Sequence, residues 1–122
     1  MPHPQSLESI YLSYIAAINN RDWSLVASDY AQPTVTHNGT KRTNIEYAAM
    51  IEASHIPFGS RAEFVPQMLV VDSDKGTVGC RLKIEFDGGK RQLWENVFYQ
   101  FTDGRIKEVF SMLEDAETGE KV

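Results

Sequence analysis

Two glutamates near the end of this 122-residue chain, Glu95 and Glu114, lie in segments otherwise rich in apolar and aromatic side chains. A carboxyl held against such walls has its pKa raised, because burial penalises the charged form, and it can then trade a proton near neutral pH. Two carboxyls in different surroundings can divide the work, one as acid and the other as base. His37, which follows a short strand-like run and precedes an Asn38-Gly39 turn, titrates in the same range. Tyr99, on the same alternation as Glu95, carries a phenol that needs a partner when buried, and a substrate carbonyl can supply one. These residue types suit proton transfer from carbon or hydroxyl, with a polar group stabilising the resulting oxyanion. Each has a plainer reading. Glu95 is otherwise a rim acid salt-bridged to Arg81 or Lys83, Glu114 and Glu108 are solvated acids, and His37 is a turn histidine bonded to backbone.

The elements that must position them are legible from periodicity. Residues 93–115 read as two long strands joined at Asp103-Gly104, a pair that tolerates the positive φ of a tight hairpin turn. A two-residue loop there pairs Phe101 with Ile106, Tyr99 with Glu108, Val97 with Phe110 and Glu95 with Met112. One face then carries Glu95, Val97, Tyr99, Phe101, Ile106, Glu108, Phe110, Met112 and Glu114, an oily surface with acids set into it. A single β-bulge would exchange Glu95 for Asn96, and Glu114 for Ser111 or Asp115.

Upstream, residues 5–19 have helical spacing with Ser6 as N-cap, and a second helix runs from Asp22 to about Tyr30, ahead of Pro33. Residues 34–37 read as a short strand, and Thr43 with Glu46 forms a capping box for a third helix fading by Ser54 or His55. Residues 62–72, 76–87, 90–101 and 105–114 alternate as four long strands, with Pro66 marking an edge or a bulge. The order predicts an α+β fold: a cone-shaped, curved antiparallel sheet of four long strands plus one short, packed over three N-terminal helices. Within it, Trp23, Tyr30, Tyr47, Met50, Phe58, Met68, Phe110 and Met112 are candidates for the walls of a substrate pocket, and Arg42 for an anchor of an enolate or carboxylate.

Composition narrows the function classes. The chain is long enough for one domain, 1–122, with residues 1–5 and 116–122 expected to be mobile. A formal net charge of −5 with scattered basic residues argues against nucleic acid. No apolar run approaches about 20 residues, so no membrane span is expected. The start lacks the pattern of a secretion signal, and the lone Cys80 reads as a small core residue, so a reducing, cytoplasmic setting is expected. There is no glycine-rich phosphate loop, paired-cysteine motif or Gly-x-Ser-x-Gly elbow. His3, His37 and His55 have no i, i+4 spacing, and no metal or other cofactor is expected.

Three stretches carry a family resemblance: Asn20-Arg21-Asp22-Trp23 with Leu25; Val35 to Gly39 leading to Arg42-Thr43-Asn44-Ile45-Glu46-Tyr47; and Glu95 to Phe101 with Asp103-Gly104-Arg105-Ile106 and Glu108-Val109-Phe110. Over nearly its whole length the chain resembles SnoaL-like polyketide cyclases of the nuclear-transport-factor-2-like superfamily, most closely in pattern the fungal members that rearrange secondary metabolites. The resemblance implies a cofactor-independent isomerase or cyclase acting on a polyketide- or terpenoid-type metabolite in an apolar pocket, and a homodimer. The alternatives are a dehydratase or hydrolase, or a non-catalytic ligand-binding or protein-interaction module, which a pocket well under about 300 Å³ would favour.

Overall fold

The computed structural model describes residues 6–54, 62–86 and 90–115. The segments 1–5 and 116–122, along with His3, His55 and Phe58, lie outside the described residues. Helix α1 (Leu7–Asn19) starts where the Ser6 hydroxyl accepts from the Ser9 N–H at 3.1 Å. Its inner face buries Tyr11, Tyr14, Ile15, Ala17 and Ile18. Arg21, at φ 56°, turns the chain into α2 (Trp23–Tyr30), which is capped by Asp22 accepting from the Leu25 N–H at 3.2 Å. Strands β1 (Ala31–His37) and β2 (Thr40–Thr43) follow, then α3 (Asn44–Ser54). The Thr43–Glu46 capping box forms in both directions, at 3.1 and 2.8 Å. No helix among the described residues is long and apolar enough to cross a membrane.

Strands β3 (Glu63–Asp72), β4 (Thr77–Phe86), β5 (Arg91–Thr102) and β6 (Arg105–Asp115) form the expected antiparallel meander. Pro66 lies on the edge strand beside a register shift. The cone with four long strands and one short is not what forms. The sheet has six strands in the order β2-β1-β6-β5-β4-β3, is mixed rather than wholly antiparallel, and is neither closed nor strongly curled. Residues 40–43, read from sequence as turn and cap, fold back on β1 through Asn38 (φ 46°) and Gly39 (φ 84°), which share the positive φ of a type I′ turn. Strand β1 then runs parallel to β6. Alternation identifies a strand but not its neighbour. The free edge of β6 needs hydrogen-bond partners, and β1 supplies them from some 70 residues away in the chain.

The β5–β6 register departs from the two-residue-loop expectation in one place. Phe101 does face Ile106, but Gln100 pairs with Glu108, leaving Lys107 as an extra residue in β6. Beyond that bulge Tyr99 faces Val109, Val97 faces Ser111 and Glu95 faces Leu113. Each β6 side chain past Lys107 therefore changes face, while β5 keeps its own.

The helices cover the face formed by Val78, Cys80, Leu82 and Ile84 of β4, Val97, Tyr99 and Phe101 of β5, and Ile106 and Val109 of β6, all buried. Asn19 ties α1 to the outer edge of β3. Its amide donates to the Phe64 carbonyl at 2.9 Å and accepts from the Phe64 N–H at 2.8 Å, replacing two bonds a neighbouring strand would make. Asn19→Ala should lower stability by about 1–3 kcal/mol, measured as a shift in denaturation midpoint at unchanged slope.

Candidate functional site

Between the helices and the sheet lies a cavity of about 170 Å³. Its walls are mainly apolar, with Ile18 from α1, Met50 and Ile51 from α3, Phe64 from β3, and Val97, Val109 and Leu113 from the last two strands. Polar groups enter from five elements: Tyr14 (α1), His37 (β1), Tyr47 (α3), Glu95 and Tyr99 (β5), and Ser111 (β6). Ser54, at the end of α3, is the exposed residue of the described lining.

Glu95 projects inward from the middle of β5, between the buried Leu93 and Val97. Its carboxyl contributes surface to the cavity, yet protein surrounds it, and burial raises its pKa to about 7. Among the described residues it has no hydrogen-bond or ion-pair partner. The salt bridge that sequence alone allowed it does not form. Arg81 instead lies on the other face, 3.0 Å from Glu114 and 2.9 Å from Asn96 Oδ1, and Lys83 sits by Glu85. Glu95 is thus an acid near half-ionisation at neutral pH, with its oxygens free to meet a ligand.

Tyr14 and Tyr47 place their hydroxyls 2.6 Å apart, buried, from two different helices. Tyr99 stacks edge-on against Tyr14 at 5.7 Å. Burial raises all three phenols well above their ordinary range, with the Glu95 charge adding to the effect, so they remain protonated donors. On the opposite side His37 Nε2 lies 3.1 Å from Ser111 Oγ. Asn38 holds that pair, donating to the Ser111 carbonyl and accepting from its N–H. Burial, and then the Arg42 charge, lower the His37 pKa, so the imidazole is neutral at pH 7.

Of the residues singled out from sequence, Glu95, His37, Tyr99, Tyr47 and Met50 come together around this cavity. Others do not. Glu114, Phe110 and Met112 are turned to the outer face of the sheet by the Lys107 bulge, and Met68 is exposed on that face too. Trp23 and Tyr30 pack against the core behind the cavity wall, Tyr30 against Tyr14 at 5.9 Å. Arg42 stands outside the lining and acts on it through its charge on His37. Sequence reasoning named Ser111 only as the outcome of a β-bulge, which is what forms, and missed Leu113, which the same bulge brings inward; it gave Tyr14 no place of its own in the pocket. The signal for Tyr14 was present in its helical spacing with Tyr11 and Ile18.

The sequence matches no protein-family model and no curated protein. Its fold does match solved structures. A SnoaL-like polyketide cyclase from Agrobacterium tumefaciens superposes with a TM-score of 0.80 at 24% identity, over 91% of this chain and 93% of that one. A candidate ketosteroid isomerase from Kribbella flavida gives 0.72 at 16% identity, over 90% and 78%. An NTF2-like protein of unknown function from Cytophaga hutchinsonii gives 0.68 at 15% identity, over 93% and 95%. The chain therefore has the SnoaL-like, NTF2-like fold. These sources are bacterial, and the narrower likeness to fungal members gains no support from them.

Proposed function

We propose that this protein is a cofactor-independent isomerase or cyclase that moves a proton on a small apolar metabolite. One observation carries the reading: an unpartnered carboxyl, poised near pH 7, is enclosed with paired phenol hydroxyls in an apolar cavity. In the proposed step a C–H bond next to a carbonyl breaks and its proton passes to the Glu95 carboxylate. The electron pair moves to the carbonyl oxygen as an enolate, which accepts a hydrogen bond from the tyrosines. Return of the proton at another carbon gives an isomer; attack by the enolate carbon on a second carbonyl breaks that C=O π bond and gives a ring, whose new alkoxide takes the proton back from Glu95, so no co-reactant is consumed. The polyketide cyclase and candidate ketosteroid isomerase of like fold support a carbonyl-bearing metabolite of polyketide or terpenoid type. Deuterium wash-in from D₂O into enolisable cyclic ketones, followed by NMR, tests the reading. Rates equal to those of buffer alone across the panel would count against it.

The size of the cavity favours a second reading. At about 170 Å³ it lies below the roughly 300 Å³ at which small-molecule sites usually begin, which suits a ligand-binding or interaction module without turnover. The same experiment separates the two, since a module would bind a ligand without exchanging its protons.

The homodimer has a candidate surface in the outer sheet face. Val70, Gly79, Phe98 and Phe110 lie in register across four strands, with Phe98 59% and Phe110 52% exposed and the Phe98 ring over Gly79. Met68 and Met112 extend the patch. A contiguous apolar patch of this kind on a small domain marks an interaction surface. Sedimentation should show a dimer at tens of micromolar and a monomer for Phe98→Glu with Phe110→Glu. A monomeric wild type would remove the dimer.

A further inference from the structure

The geometry points to a second activity in the same cavity: Ser111 and His37 form a nucleophilic pair that opens small aryl esters through an acyl-serine. This goes beyond the proton-transfer reading and makes no use of Glu95. Both residues are half-buried and both line the cavity, so the pair faces the space a ligand would fill. His37 Nε2 stands 3.1 Å from Ser111 Oγ, where an imidazole with its proton on Nδ1 accepts the hydroxyl proton. Burial and the Arg42 charge keep that imidazole in its neutral, basic form at pH 7. The turn after His37 fixes the distance. Asn38 donates its N–H to the Val109 carbonyl at 2.9 Å and its side-chain amide to the Ser111 carbonyl at 3.1 Å, and it accepts the Ser111 N–H at 2.8 Å. These three bonds clamp the end of β1 on β6 and use only the backbone of β6. Among the described residues the Ser111 hydroxyl has no partner but the imidazole. A pair aligned in advance in this way loses little entropy when it reacts.

In the first step His37 takes the hydroxyl proton as Ser111 Oγ bonds to the ester carbonyl carbon, and the π pair moves to the carbonyl oxygen. Return of that pair breaks the bond to the aryloxide, which leaves with the His37 proton as a phenol. Water then attacks the acyl-serine while His37 takes its proton. The bond between Oγ and the acyl carbon breaks, and Oγ recovers the proton from His37. The net change is ester and water to acid and phenol. Two features set the class of ester. Among the described residues no carboxylate bonds the imidazole, so the leaving group must depart with little help. A phenoxide, whose acid has a pKa of about 10, does so far more readily than an alkoxide. Val109 and Leu113, the inward neighbours of Ser111 on β6, are apolar. A dry cavity of about 150 Å³ holds benzene, so one of about 170 Å³ limits the acyl group to a few carbons.

Turnover of 4-nitrophenyl acetate, with peptide mass mapping after methanesulfonyl fluoride, tests this. The protein should release nitrophenolate faster than buffer alone. The sulfonyl fluoride should label Ser111 once and stop the release, its S–F bond breaking as Oγ bonds to sulfur and the fluoride leaving with the hydroxyl proton. Ser111→Ala should lose both label and turnover. It keeps the Asn38 bonds, which engage only the backbone of that position. Ser111→Cys should take up the acetyl group as a thioester at the same position, which separates loss of the nucleophile from loss of the fold. His37→Gln should slow labelling about 10²- to 10⁴-fold, as loss of a positioned general base implies. Label on a lysine or the N-terminus in place of Ser111, or undiminished turnover in Ser111→Ala, would overturn the nucleophile. Equal labelling rates in wild type and His37→Gln would overturn the pair. Neither release above buffer nor any label would end the proposal, whatever the deuterium-exchange result says of Glu95.

Discussion

Glu95→Gln is expected to slow deuterium exchange into a bound ketone by about 10²- to 10⁴-fold, the usual contribution of a positioned general base, with ligand affinity nearly unchanged. Glutamine keeps the shape and the polar surface but cannot take a proton. The effect should be this large because no second carboxylate faces the cavity among its described lining residues, Glu114 being held on the other side of the sheet by Arg81. His37 is the other titratable base in the lining, and it is neutral and tied to Ser111. Wild-type exchange should rise with pH and level off above about 7, as the Glu95 carboxylate forms. Exchange in Glu95→Gln at the wild-type rate would assign the chemistry elsewhere, with His37 next in line.

The second large effect concerns stability, and its sign is opposite. The folded chain holds the Glu95 proton up to about pH 7, whereas the unfolded chain releases it near 4.5. Between those values the folded state binds more protons, so stability falls as pH rises and the loss is complete above pH 7. The shift corresponds to about 3 kcal/mol, to order of magnitude. His37, with a lowered pKa, contributes a slope of the other sign below pH 6.5. That contribution is common to wild type and Glu95→Gln, so the difference between them isolates Glu95. The variant should match wild type near pH 4 and exceed it by up to about 3 kcal/mol at pH 8, read from denaturant midpoints at both pH values. A difference independent of pH would mean that the carboxyl is solvated in the folded state. Lower activity with higher stability is the pattern expected where a buried acid is retained for function.

Much of this could be read before folding was considered. Helix spacing, Ser6, Asp22 and the Thr43–Glu46 box located all three helices, because caps and periodicity are local properties. The Asp103-Gly104 turn located the last hairpin, and its alternation placed Glu95 and Tyr99 on one face of β5. Cys80, between Gly79 and Arg81 in an alternating strand, is buried as its neighbours implied.

Other features were decided by tertiary structure. The extra residue at Lys107 has no marker in the local pattern, because a bulge is a property of two strands in register, and it turned Glu114, Phe110 and Met112 outward and Ser111 inward. The parallel pairing of β1 with β6 joins segments some 70 residues apart; it makes the six-stranded sheet a mixed one and carries His37 to Ser111. The meeting of Tyr14 with Tyr47 likewise depends on how α1 and α3 pack. By itself the sequence determined which side chains each element offers and to which side of that element. Only the packed chain decided which of them share a cavity, because that depends on contacts between residues far apart along the backbone.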